Sequence, residues 1–307
     1  MIARRDPAIN TSTDIQGMTM RTPLRTITTF LLSAAAIAAL SVVASCSTNS
    51  QQTPDIKLYV FKCGNISSRD ISLFSPGVNE GQSKELTDSC YLIRHPQGDL
   101  FWDAGLADSI GPDGIEVFNG ALHLSVTNPL RAQLDAIGVK PEEIEWLGIS
   151  HFHSDHIGNA NWFNNATLLI QKEEFDAAFG ANPQQYGFNP DLYSQFNASN
   201  SQILQGDHDV FGDGRVVIKR AVGHTPGHQM LYLDLSNSGP IMLSGDLYHF
   251  TSNREHQRVP SFNFDKEQTL EAMKQIEQHV KQTGAQFWIQ HDKEQNATIL
   301  HAPEFYN

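Results

Sequence analysis

Four side chains able to bind a divalent cation fall within six residues, in His151-Phe152-His153-Ser154-Asp155-His156. No other feature constrains the fold as strongly. The run before it, EWLGIS (145–150), reads as a short buried strand. A strand that ends in a turn aims neighbouring side chains at one point. The fold must therefore supply a sheet whose strand ends meet at a common edge. Three further candidates follow strand-like runs in the same way. His224 comes after GRVVIKR (214–220), Asp246 ends PIMLSGD (240–246), and His291 comes after AQFWIQ (285–290). A lone loop histidine is ordinarily incidental. Five histidines and two aspartates at strand ends are enough for two divalent cations with coordination positions left open. Imidazole with carboxylate suits zinc, and also iron, manganese or cobalt.

The remaining pattern mixes strands and helices. KLYVFKC (57–63), SCYLIRH (89–95), DLFWDAG (99–105), TLLI (167–170) and QMLYLDL (229–235) read as strands, with a hairpin turn at Pro96-Gln97-Gly98. Helical spacing appears in 127–138, 171–179 and 266–282, the last with Asp265 as N-cap and Gly284 as stop. Residues 180–200 show no period. Hairpins among helices argue for an α/β sandwich of mixed sheets and against a purely parallel doubly wound sheet. The net charge of −13 gives no clustered positive grip for nucleic acid. Three cysteines exclude a disulfide scaffold and leave no CxxC zinc pair. No G-x-S-x-G elbow is present for a serine nucleophile.

The first 45 residues read as a targeting segment. Arg21 and Arg25 precede the apolar run TFLLSAAAIAALSVVAS (29–45), for which a transmembrane anchor is the weaker reading, since a span wants about 20 apolar residues. Its end, Val43-Ala44-Ser45-Cys46, resembles a bacterial lipobox, in which the cysteine is lipidated. The expected product is an exported periplasmic or cell-envelope lipoprotein, held to the membrane only through Cys46. Residues 46–56 would form a polar tether and 57–307 the folded domain. Asp6 and Asp14 are foreign to such a signal, so translation from Met18 or Met20 is an alternative start. Cys63 and Cys90, on consecutive strands, are left either bridged or as buried thiols.

HFHSDHIGN, GHTPGH, SGD and WIQHD, in this order, resemble the metallo-β-lactamase fold superfamily across residues 57–307. LIRHPQGDLFWDAGL, SGDLYHF, VPSFNFDKEQTL and HDKEQ are most similar to the N-acyl homoserine lactonases. That resemblance implies a four-layer αββα sandwich of two mixed sheets flanked by helices. It implies a first metal on His151, His153 and His224, a second on Asp155, His156 and His291, and Asp246 bridging them. Two Zn2+ ions are the expected cofactors. The implied reaction opens the lactone ring by attack of a hydroxide shared between the metals, with Asp155 also orienting the nucleophile. The small-molecule lactone is the expected partner. His228 matches a position behind the ligands.

There is one departure from the family pattern. Where the lactonases place a substrate-contacting tyrosine, three residues after the bridging aspartate, this chain has His249, preceded by Tyr248. An imidazole also donates hydrogen bonds, so His249 and Tyr248 are catalytic candidates, with a packed loop histidine as the plain alternative. Tyr186, Phe188, Tyr193, Phe118, Leu122 and His123 are candidates to wall an acyl-chain pocket, or else surface packing. An exported organophosphate or ester hydrolase of the same fold, or a non-catalytic metal-binding lipoprotein, are the competing functions.

Overall fold

The structure, a computed structural model, describes residues 55–307. The signal segment, the lipobox-like Cys46 and most of the tether lie outside the described residues. Ile56, which the sequence placed in the tether, is 1% exposed and already belongs to the core.

Eight strands form the first sheet: β1 (Lys57–Ser68), β2 (Lys84–His95), β3 (Gly98–Trp102), β4 (Ile115–Val117), β5 (Leu122–Ser125), β6 (Trp146–Gly148), β7 (Thr167–Gln171) and β8 (Ser201–Leu204). Five form the second: β9 (His208–Asp209), β10 (Val216–Arg220), β11 (Gln229–Leu235), β12 (Gly239–Leu243) and β13 (Gln286–Trp288). Both sheets are mixed. The pairs β1–β2 and β2–β3 are antiparallel, while β3–β6–β7–β8 run parallel. In the second sheet only β12–β13 is parallel. The helices are α1 (Leu130–Ala136), α2 (Ser154–Ile157), α3 (Lys172–Ala178), α4 (Thr251–His256), α5 (Lys266–Thr283) and α6 (Lys293–Asn296).

Alternation along the strands builds the layers. Leu58, Val60, Ile93 and Leu100 of the first sheet meet Val216, Ile218, Leu231 and Leu243 of the second in a core between the sheets. The opposite face of the first sheet, with Phe61, Leu92 and Leu147, packs on Leu130 and Leu134 of α1 and Ala177 of α3. The opposite face of the second, with Met230, Met242 and Phe287, packs on Met273, Ile276 and Val280 of α5. The result is the expected four-layer αββα sandwich. Helix α5 is capped as its sequence implies. Asp265 accepts from the Gln268 amide, and Gly284 takes φ 69°.

Several element boundaries differ from the sequence reading, those of β1, β2 and β3 with consequences for the site. Strand β1 continues five residues past Cys63, and β2 begins five before Ser89. A bulge between Lys62 and Gly64 resets the register, after which Ile66 is buried again and β5 pairs on the other side. Strand β3 stops at Trp102 because Asp103 adopts φ 56°. Residues 180–200 fold as short 3-10 turns at Pro183–Tyr186, Pro190–Tyr193 and Ala198–Asn200.

Cys63 and Cys90 thus lie within paired strands, with Cα atoms 5.8 Å apart, and form a disulfide. Both are buried, and Gly105 is required beside them. With φ 64°, it has Cys63 Cβ 2.4 Å from where its own Cβ would stand.

Candidate metal centre

The strand ends that carry the candidate ligands open on one end of the sandwich. His151 follows β6, His224 follows β10, Asp246 follows β12 and His291 follows β13, while α2 carries Asp155 and His156. Their donor atoms converge in two sets, His151, His153, His224 and Asp246, and Asp155, His156 and His291. In the first set His153 Nδ1 lies 2.9 Å from His151 Nε2 and 3.1 Å from His224 Nε2. Asp246 Oδ2 lies 3.3 Å from His224 Nε2 and 3.6 Å from His151 Nε2. Asp246 sends its other oxygen to the second set, where Oδ1 is 2.9 Å from His291 Nε2 and 3.2 Å from His156 Nε2. The Asp155 oxygens complete that set at 3.7 Å from His291 Nε2 and 3.9 Å from His156 Nε2.

These separations, 2.9–3.9 Å, bracket the spacing that shared cations impose. Metal–ligand bonds of about 2.0–2.2 Å at tetrahedral angles hold ligand atoms about 3.3–3.6 Å apart. Buried polar atoms point the same way. His156 Nε2, His291 Nε2 and Asp246 Oδ1 are buried and make no hydrogen bond. The donor set, five imidazoles and two carboxylates with one carboxylate divided between the sets, matches what two divalent cations require.

The far nitrogen of most ligand rings is tied down, which fixes tautomer and orientation. His156 Nδ1 lies 3.0 Å from the Asp103 carboxylate, and His291 Nδ1 lies 2.8 Å from the Thr87 carbonyl. His153 Nε2 lies 3.1 Å from the Tyr186 carbonyl, and His151 Nδ1 3.1 Å from Ser150 Oγ. In each case the ring presents its other nitrogen to the cluster. His228 is not in either set. Its Nδ1 donates to the Ala221 carbonyl and its Nε2 accepts the Asp246 amide at 2.9 Å each. Gly245 of the S-G-D run permits that contact, since a Cβ there would stand 2.6 Å from His228 Nε2.

Two supports were not singled out by sequence. Asp103, in its left-handed conformation, accepts from the Ser150 amide at 2.6 Å while holding His156. Glu174, at the start of α3, accepts from the Phe152 amide at 2.9 Å and the Gly227 amide at 2.8 Å. It thereby ties the loop of His151 and His153 to the loop of His224. Burial pushes its carboxyl up to about 7. The signal available for Asp103 was its place in DLFWDAGL; Glu174 had none, because its partners are backbone amides distant in sequence.

The charges are redistributed within the cage. Burial lowers His151 well below the ordinary histidine value, with His156 adding to the effect, and brings His153 to about 3. Burial would also lower His156 and His291. Asp246 and Asp155 outweigh it for both, raising His156 well above its usual value and His291 to about 9. For Asp246 burial acts upward, but the surrounding imidazoles, His291 and His156 foremost, hold the carboxyl well below its normal range.

A cavity of about 510 Å3 opens above the cage. One pole is polar, formed by His153, Asp155, His224, Asp246, His249 and His291. The other is apolar, with Ile66, Phe74, Leu86, Leu122 and Leu124 among its walls. His249 faces this cavity, 2% exposed, with Nε2 3.1 Å from Asp246 Oδ2. Tyr248 does not line it. Its side chain points away into the α5 cluster, its ring 5.7 Å from Phe287, so the expectation of a catalytic role for Tyr248 is corrected to packing. The chain turns and bends between the end of β12 and α4, and only His249 of the pair reaches the site. Of the pocket-wall candidates, Phe118, Leu122 and Tyr186 line the cavity. Phe188 and Tyr193 are core residues, and His123 pairs with Glu116 at 3.3 Å.

A caged carboxylate shared by two sets of imidazoles at the mouth of an αββα sandwich is the centre of a metal-dependent hydrolase. The model of the metallo-beta-lactamase superfamily matches residues 85–278, and the chain belongs to that superfamily. It is 26% identical over 264 residues to the N-acyl homoserine lactonase AttM of Azorhizobium caulinodans, covering 82% of this chain and 99% of the relative. It is 28% identical over 260 residues to the N-acyl homoserine lactonase AiiA of Bacillus thuringiensis subsp. kurstaki, covering 81% and 98%. A solved N-acyl homoserine lactone hydrolase, with the product N-hexanoyl-L-homoserine bound at its catalytic metal centre, superposes with a TM-score of 0.71. It is 26% identical over 81% of this chain and 98% of that one.

Proposed function

We propose that this chain hydrolyses the lactone ring of N-acyl homoserine lactones, with His151, His153, His224 and Asp246 holding one divalent cation and Asp155, His156, His291 and Asp246 the other. The observation that carries this reading is the position of Asp246, between two imidazole sets at the polar pole of a cavity whose other pole is apolar. An amphiphile with a hydrolysable head and an aliphatic tail fits such a cavity. The named activity of the two curated relatives supports it. The bound cations, expected to be Zn2+, supply Lewis acidity and a water acidified to near-neutral pKa. The protein groups do the rest. Asp155, open to the cavity, accepts a hydrogen bond from the attacking water and receives its proton, then returns a proton to the leaving alkoxide. His249 turns its one N–H, on Nε2, from Asp246 Oδ2 to the oxygen on which charge develops. Its ring is kept neutral at ordinary pH, because burial lowers its pKa more than Asp246 raises it. The apolar wall excludes water from the tail.

The test is turnover of N-acyl homoserine lactones, a β-lactam and a phosphotriester, with and without chelator, on protein of measured metal content. Chelator-sensitive lactone opening is the expected result. Rapid phosphotriester turnover with lactones untouched would hand the site to an organophosphate hydrolase.

The lipobox-like end leads to a second part of the proposal, export as a lipoprotein. The Cys63–Cys90 disulfide supports it, since such bonds persist in oxidising compartments. Cys46→Ala should move the protein from the membrane to the soluble fraction. Unchanged membrane association would remove the anchor.

A further inference from the structure

The cavity leaves large apolar side chains facing water at its rim. Phe118 is 65% exposed, Phe264 50% and Phe262 37%, and all three line the opening. Phe262 occupies the junction of the two poles. Its ring lies 5.8 Å from that of His249 and 6.0 Å from that of His224 on the polar side. On the apolar side it lies edge-on to Phe74 at 5.5 Å and 6.3 Å from Phe118. Phe74 is the buried floor of this junction and itself touches His249 at 4.8 Å.

The backbone on either side of Phe262 is pinned. The Ser261 amide and hydroxyl donate to the Leu73 carbonyl at 2.8 and 3.0 Å. Asn263 Nδ2 donates to the Gly223 carbonyl and to Thr269 Oγ1 at 2.8 Å each. The Phe264 amide donates to the His224 carbonyl at 3.0 Å. A side chain held between two such anchors is placed before any ligand arrives, so little ordering cost remains for binding. Opposite it, Phe118 is held at φ 50° and Asn119 at φ 55°, backbone conformations that bulky residues rarely adopt. Strain of this kind persists where the surrounding structure fixes it, and it concentrates at ligand clamps. Water-exposed aromatics in contact with one another, one of them on a strained backbone, need an apolar group between or beneath them.

We propose that Phe262 is the specificity-determining residue of this site. It closes with Phe118 over the aliphatic tail and separates the tail from the reacting head, so the chain prefers N-acyl homoserine lactones with long unbranched acyl chains over short ones. This inference rests on the lactonase reading above. A butanoyl tail ends short of the Phe118–Phe262 contact and gains little from it. Each further methylene laid along Ile66, Leu86, Leu122 and Leu124 contributes up to about fourfold in kcat/KM. Phe262 touches His249 and His224 only by ring contact and offers no donor, so its removal leaves the cage intact.

The experiment measures kcat and KM for butanoyl, octanoyl and dodecanoyl homoserine lactones on the metal-loaded full chain and on Phe262→Ala and Phe262→Leu. Metal content is read on the same samples. The unaltered chain should show kcat/KM rising with chain length. Phe262→Ala should lose about 10- to 100-fold on the dodecanoyl substrate, mostly as a raised KM, and less than about threefold on the butanoyl one. Phe262→Leu should recover much of the loss, and metal content should be unchanged throughout. An equal loss at every chain length, or no loss at all, overturns the role of Phe262 while leaving lactonase activity standing. Failure of the unaltered chain on every lactone overturns both.

Discussion

Asp246→Ala is expected to yield protein with little bound metal and with kcat/KM lowered by about 10³-fold or more, the several kcal/mol that metal assistance supplies. The reason is the division of one carboxylate between two sets. Oδ2 faces His151 and His224 while Oδ1 faces His156 and His291, so one deletion takes an anionic ligand from both cations. It also removes the carboxylate that lies against His151, His156, His224 and His291. The variant should still fold. Asp246 lies at the polar pole of the cavity and outside the apolar clusters that hold the layers together. Circular dichroism and elemental analysis on one sample check both halves of this expectation. A variant that keeps two metals per chain and full activity would show that Asp246 does not join the sets.

His249→Ala is expected to lower kcat by about 10²-fold, the typical cost of one donor aimed at a developing oxyanion. Metal content should be unchanged. His249 Nε2 lies 3.1 Å from Asp246 Oδ2, but the ring is not among the converging donor sets. Its loss therefore removes a donor at the cavity wall and leaves the ligands in place. His249→Phe keeps the ring volume against Phe74 and Phe262 and should fall as far as the alanine variant. His249→Tyr restores a hydroxyl donor at the position where the lactonases carry one, and should recover most of the rate. Steady-state kcat and KM decide the matter. A kcat unmoved by His249→Phe would return the residue to a packing role.

The candidate ligand set was legible in the sequence because its members lie just past strand ends or in the short helix that follows one, and strand ends are local features. Alternating apolar residues mark the strands of 57–63 and 229–235, and the turn after each run is marked by its own residues. Residue type names the side chains that can ligate, but which ring nitrogen each histidine presents is set by the partner of the other, as His153 shows by presenting Nδ1. An α/β sandwich of mixed sheets followed from the same alternation together with the apolar face of 266–282, where Met273, Ile276 and Val280 are buried, while the four-layer αββα order came from the family resemblance. The caps of that helix were readable for the same reason, since Asp265 and Gly284 act on amides and carbonyls within one turn.

Features that depend on which strands pair, and in what register, were not legible. The sequence left Cys63 and Cys90 open; only the antiparallel pairing of β1 with β2, offset by the bulge at Lys62/Gly64, decides that their sulfurs meet. It named Tyr248 and His249 together, and only the path of the chain after β12 decides which faces the cavity. It contained Asp103 and Glu174 without their tasks, because each acts on groups more than twenty residues away in sequence. The sequence by itself determined the chemistry available: which side chains can bind a cation and which segments carry them. The tertiary structure alone decided the geometry that makes this chemistry usable. It set the two oxygens of Asp246 against different imidazoles, and it joined the far halves of β1 and β2 to the 115–125 hairpin as an apolar wall. Side-chain chemistry is a property of single residues and periodicity a property of short windows, whereas contacts across the sandwich are set by the packing of the whole chain.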